Sequence, residues 1–143
     1  MIIQFIIGCI LIGITVIVHA CALYILLRFT EHPHFHLKGK LYKFHKMMLI
    51  IISVLGVFLA TVIEIWLWAI TLYFLDISDL PTFESALYFS TSTFTTVGYG
   101  DLVLSEDWRL LGSFESANGL LLFGWSTAFI FEITARLYKT ETL

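Results

Sequence analysis

Residues 95–101 read TTVGYGD. Glycines at 98 and 100 make this stretch a poor helix and a weak strand interior. Yet long apolar runs stand on both sides of it. One spans residues 47–75 and another Leu110 to Leu137, the latter interrupted by Glu115, Asn118 and Glu132. A third run, residues 1–29, opens the chain. Each is as long as the roughly 20 apolar residues that cross a bilayer as a helix. None alternates with period two, so helices rather than barrel strands are expected. Composition agrees. Of the 143 residues, 59% are hydrophobic and 13% are charged, against about 25% charged in an ordinary soluble domain. Mean hydropathy is +0.91. No Lys or Arg precedes Arg28, and the first run is too long for a signal peptide, so it is expected as a retained span.

Basic residues set an expected orientation. Arg28, Lys38, Lys40, Lys43 and Lys46 flank or fill the 30–46 loop, and Arg136 and Lys139 follow the third run. Between the second and third runs the one cation, Arg109, stands beside Asp76, Asp79, Glu84, Asp101, Glu106 and Asp107. The positive-inside rule then places the 30–46 loop and the C-terminus in the cytosol. The N-terminus and the 76–108 hairpin face outward, in a multi-pass protein of the plasma membrane. Cys9 and Cys21 lie about 18 Å apart along one helix, beyond disulfide reach, and read as packed, reduced thiols. The few residues after the third run leave no room for a soluble regulatory domain.

The hairpin concentrates the chemistry. In SDLPTFESALYFSTSTF, residues 78–94, Asp79 is a candidate cap, Pro81 suits a first turn and Glu84 complements the positive helix end. The expected helix, 81–94, is too short to span. A short helix followed by irregular chain is a re-entrant loop, and non-helical backbone at membrane depth must line water or be buried in protein. Alternating Gly98 and Gly100 with Val97 and Tyr99 lets successive carbonyls point the same way, because glycine reaches positive φ at no steric cost. Such a row, closed below by the Thr96 hydroxyl, replaces the water around a dehydrated cation. Val97 and Tyr99 then point away and brace it.

TTVGYGD, after a Ser/Thr-rich helix and between two spans, resembles the selectivity filter of tetrameric potassium channels. The resemblance covers residues 47–137: outer helix 47–75, pore helix 81–94, filter 95–101 and inner helix 109–137. It implies an all-α membrane protein of three spans plus the re-entrant loop, four copies surrounding one K⁺ pathway. It implies K⁺ coordination by Thr96, Val97, Gly98, Tyr99 and Gly100. Thr95 matches the end of the pore helix and Asp101 the acid behind the filter. Two departures stand out. Tyr88 and Phe89 occupy the positions of a Trp pair that cuffs the filter tyrosine in many relatives. Ser92 replaces a buried Glu that pairs with the acid, leaving Asp101 without that partner. A weakly selective cation channel and a non-conducting subunit of a mixed assembly are the alternatives. A gap-free count places Leu121, Gly124, Ala128 and Glu132 on the pore-facing side of the inner helix, and a gating glycine near Gly119.

Outside the filter, Glu64 is an acid in mid-span, a functional position by default. It reads either as a proton-sensitive gating contact or as a structural hydrogen bond to Asn118 or to pore-helix hydroxyls. His19 lies too far toward the cytosol, by residue count, to be its expected partner. His32, His34, His36 and His45 accompany the basic loop, which reads as a solvated face against lipid headgroups, a pH-responsive segment or a metal site. Gly119 and Gly124 on the inner helix mark either a bend or close packing. Gly56 and Ala60 suit close helix packing, and Trp66, Trp68, Tyr73 and Trp108 an interfacial belt or helix contacts. No span carries the regular arginines of a voltage sensor. No nucleophile–base pair marks an enzyme. The expected partners are lipid and further copies of the chain, with no nucleic acid and no cofactor besides the permeant K⁺.

Overall fold

The computed structural model describes residues 1–31, 40–75 and 77–139. Four helices follow in order: α1 (Ile2–Glu31), α2 (Lys40–Phe74), α3 (Phe83–Phe94) and α4 (Arg109–Lys139). Three of them, α1, α2 and α4, are long and apolar enough to cross a membrane. With 30, 35 and 31 residues they run about 45–52 Å, more than the roughly 30 Å hydrocarbon core. The chain is an all-α membrane protein, and the described residues contain no strand.

Two boundaries differ from expectation. α2 begins at Lys40, not near residue 47, so the second half of the basic 30–46 segment is helical. Lys, Leu and Phe there oppose helix only weakly, and the apolar run beyond nucleates it. His32, His34 and His36, the proposed metal or pH loop, lie outside the described residues; His45 sits on α2. α3 starts at Phe83, because Thr82 rather than Asp79 is its cap. The Thr82 hydroxyl accepts from Ser85 N–H at 3.1 Å, and Ser85 Oγ accepts from Thr82 N–H at 3.1 Å, a reciprocal capping box. Asp79 instead accepts from Ser105 N–H at 2.8 Å, tying the two outer loops together.

α1 packs on both α2 and α4, and α3 is wedged between α2 and α4. The core is Trp68, Leu72, Ala86, Phe89, Phe94, Leu111 and Leu122 with their neighbours. Trp68 is buried in this core, which selects helix contacts over the interfacial belt for that residue. Cys9 and Cys21 are exposed on the single chain rather than packed. Glycine notches let the helices close. A side chain at Gly8 would meet the Phe114 ring, and one at Gly56 would meet Leu26. Gln4 of α1 satisfies the start of α4. Its amide donates to the Asp107 carbonyl, and its oxygen accepts from Leu110 N–H at 3.3 Å. That N–H is one of the donors a helix start leaves unpaired.

Candidate ion pathway

α3 runs without a break into residues 95–101. Thr95 caps it, donating its N–H to the Thr91 carbonyl at 3.2 Å and its hydroxyl to the same carbonyl at 2.7 Å. Thr96 N–H reaches Thr93 O at 3.0 Å, and Gly98 N–H reaches back to Ser92 O at 3.0 Å. Ser116 of α4 donates its hydroxyl to Thr93 O at 3.1 Å. The last carbonyls of α3 thus hold the irregular segment in place. The partial negative charge of this helix end lies at the base of residues 96–100.

The backbone there is unusual. φ is +60° at Thr96, +54° at Gly98 and +78° at Gly100, while Val97 and Tyr99 stay on the negative side. A chain alternating between the two hands turns its successive carbonyls to one side, where a strand would alternate them. Positive φ is free at Gly98 and Gly100; at Thr96, a β-branched residue, it is strained. Thr96, Val97, Gly98, Tyr99 and Gly100 are all exposed on the single chain. Their backbone is therefore open to whatever lies beside the single chain.

Around this segment the expected braces fall into three groups. The Tyr99 ring stacks on Tyr88, centroids 6.5 Å apart and planes 12° from parallel. Tyr88 Oη donates to Asp101 Oδ2 at 2.7 Å, and Leu102 N–H donates to Oδ1 at 3.1 Å. Asp101 therefore has a partner after all: a phenol in place of the indole and carboxyl donors of relatives. Phe89 turns the other way, into the core beside Gly112. Ser92 keeps its hydroxyl local, donating to the Phe89 carbonyl at 3.0 Å. The Tyr88 bond holds the Asp101 carboxyl below its ordinary range, and the same bond raises the Tyr88 phenol.

On α4, Leu121, Gly124, Ala128 and Glu132 are all exposed and share one face. Glu132 accepts from Arg136 Nε at 2.6 Å, one turn on. Gly124 has open space around it. Gly119 does not: a Cβ there would stand 1.9 Å from the Phe94 carbonyl oxygen at the end of α3. That contact supports the packing alternative for Gly119. Sequence reasoning named Gly119 but had no signal for its partner.

The mid-membrane acid was misread. Glu64 Oε1 lies 2.8 Å from His19 Nδ1, and both side chains are fully buried. Asn118 gives its amide to Thr15 Oγ1 at 2.7 Å instead of meeting Glu64. A second buried acid, Glu115, leaves both oxygens without a hydrogen-bond partner beside Ser90 of α3. It was noted in the sequence only as an interruption of an apolar run. No cluster of three or more His, Cys, Asp and Glu suited to a metal occurs among the described residues.

A family model described as ion channel matches residues 47–136, from the body of α2 to the end of α4. α1 lies outside the match. No curated protein and no solved structure matches the chain.

Proposed function

The chain belongs to the ion-channel family, and on that premise we propose that it conducts K⁺ passively at the centre of a homotetramer in the plasma membrane. The carrying observation is the alternation of backbone hand across Thr96–Gly100. A row of carbonyls facing one way offers a dehydrated monovalent cation the dipoles it loses with its water, and K⁺ is the ion such rings suit. Because a single wall solvates one side only, several copies must face one another. The resemblance of TTVGYGD sets that number at four.

K⁺ contacts are assigned to Thr96, Val97, Gly98 and Tyr99, with Gly100 completing the row. Thr95 and Ser92 anchor it, and Tyr88 and Asp101 hold its outer end. Glu132 contributes charge at the inner mouth, where Leu121, Gly124 and Ala128 line the way. The Tyr88–Asp101 bond favours a selective filter over the weakly selective alternative, since it restores the stiffness that the missing Trp pair removes. The distribution of basic residues supports an outward N-terminus and a cytosolic C-terminus.

The test is reconstitution of the purified chain in planar bilayers under opposed K⁺ and Na⁺ gradients. Current should reverse near the K⁺ equilibrium potential and be blocked by Ba²⁺, a doubly charged ion of similar size. A reversal potential indifferent to exchanging K⁺ for Na⁺ would favour the weakly selective reading. No current from the chain alone would favour a subunit of a mixed assembly.

A further inference from the structure

We infer that His19, Glu64 and Ser126 form a proton-binding site inside the membrane that fastens α1 to α2 and α4. The inference follows from counting hydrogens. Ser126 has one hydroxyl hydrogen, directed at the Leu122 carbonyl 2.8 Å away. With that hydrogen committed, its oxygen is an acceptor toward His19 Nε2 at 3.2 Å, and the inferred tautomer carries its hydrogen on Nε2. On the other side of the ring, Nδ1 stands 2.8 Å from Glu64 Oε1. Without a hydrogen between them, these are two lone pairs at hydrogen-bond distance. A second proton is therefore bound at this contact. It sits either on Nδ1, giving an imidazolium facing a carboxylate, or on Oε1, giving a neutral pair. Both arrangements hold the same protons and the same net charge of zero.

Burial makes that proton a ligand rather than a detail. His19 and Glu64 are fully removed from solvent on membrane-spanning helices, and Glu64 Oε2 has no hydrogen-bond partner. An ionised carboxylate with one bare oxygen is costly there, which favours the neutral pair. Removing the proton leaves a net negative charge in the core and two acceptors in contact. The contact closes again only if the ring hydrogen moves to Nδ1 and the Ser126 hydroxyl turns from Leu122 to Nε2.

Nothing else nearby takes over the charge. From α4 the site meets Ser126 and the Trp125 ring, whose centroid is 5.4 Å from that of His19. On α4 the nearest acid is Glu132, six residues from Ser126 and about 9 Å along the helix, exposed and paired with Arg136; Glu115 is eleven residues away, about 16 Å. On α2, Lys46 is eighteen residues from Glu64, about 27 Å. On α1, the neighbouring polar group is Thr15, engaged with Asn118 and with the carbonyls of Leu11 and Ile12. α3 does not pack against α1.

The experiment uses the full chain in lipid vesicles, with histidine labelled at its ring nitrogens and His19 assigned by the resonance lost in His19→Gln. At neutral pH, Nε2 should be protonated and Nδ1 hydrogen-bonded. On alkalinisation, Nδ1 should move to the free-acceptor position in one step. In Glu64→Gln the side-chain amide donates to Nδ1 at every pH, so the step should vanish. At the same alkaline pH, α1 amides should exchange faster in the wild type than in Glu64→Gln. A bare Nε2 at neutral pH, an Nδ1 signal that never moves, or equal α1 exchange in the two proteins would each overturn the inference. None of these readouts requires current. Vesicles in which the Nδ1 step is seen but K⁺ does not pass would sink the conduction reading and leave the proton site standing.

Discussion

Tyr88 shows how one hydroxyl changes the reading of a site. Its bond to Asp101 puts a phenol on the carboxylate and a ring against Tyr99. The carboxyl is held low, so the bond's contribution is complete above the ordinary carboxylate value and is lost only as pH falls through the lower, folded-state value. K⁺ current should therefore be insensitive to this pair across the neutral range and fail only in strong acid. Tyr88→Phe should bring the acid limb up toward the ordinary carboxylate value and hasten loss of current during sustained opening; a pH profile of vesicle flux measures the first. The glycines separate in the same way. Gly119→Ala adds a methyl against the Phe94 carbonyl and must displace the end of α3, at a cost of about 1–3 kcal/mol by the usual scale of overpacking. Gly124→Ala meets nothing within 4 Å and should match or exceed parental stability, by up to about 1 kcal/mol from helix propensity. Thermal unfolding of the two variants in one detergent compares them. The phenol was legible in the sequence as a departure, but its partner was not, because only the turn of residues 98–101 brings Tyr88 and Asp101 together.

Among the elements, α3 carries the most consequence per residue. Its 12 residues are too few to be stable alone, and its start rests on the Thr82–Ser85 box. Thr82→Ala should cost about 1 kcal/mol and expose the first-turn amides of α3 to faster exchange, with the filter end still protected by α4. Sequence patterning located this helix because the start signals Asp79, Pro81 and Glu84 precede a run too short to span. It misplaced the start, since Asp79 and Thr82 are equally good caps on paper and the choice falls to Ser105, which claims Asp79. The His19–Glu64 pair was missed for a related reason. Counting depth from span ends treats every helix as starting at one level. His19 lies seventeen residues from the start of α1, about 26 Å, and Glu64 only ten from the end of α2, about 15 Å. They meet because α1 reaches further at that end, far enough for Gln4 to touch Asp107 and Leu110. Stagger between helices is a tertiary property that hydropathy along the chain does not carry.

For the molecule as a whole, the three candidate spans among the described residues would put Met1 and Lys139 on opposite faces. A tag before Met1 should be reached by an impermeant label on intact cells, and a tag after Leu143 should not; labelling of both from outside would contradict three crossings. In the proposed fourfold assembly, Glu132 would place a carboxylate from each copy on the exposed face of α4 near its C-terminal end. Glu132→Gln should lower single-channel conductance in dilute K⁺ and much less in concentrated salt, where screening shortens the field. Arg136, bound to Glu132, moderates the size of that effect. The architecture was readable because lipid leaves the backbone so few choices. The placement of α1 was not, since its apolar faces look alike in sequence and only its packing selects between them. That packing has a mechanical meaning. α1 is gripped at three heights: by Phe114 in the notch at Gly8, by Glu64 and Ser126 at His19, and by Leu26 seated on Gly56. A rod held at three points neither slides nor rolls independently. Thickening or thinning of the bilayer that tilts α1 must tilt α2 and α4 with it, so α1 acts as a strut that delivers lateral pressure to the two helices between which α3 is wedged.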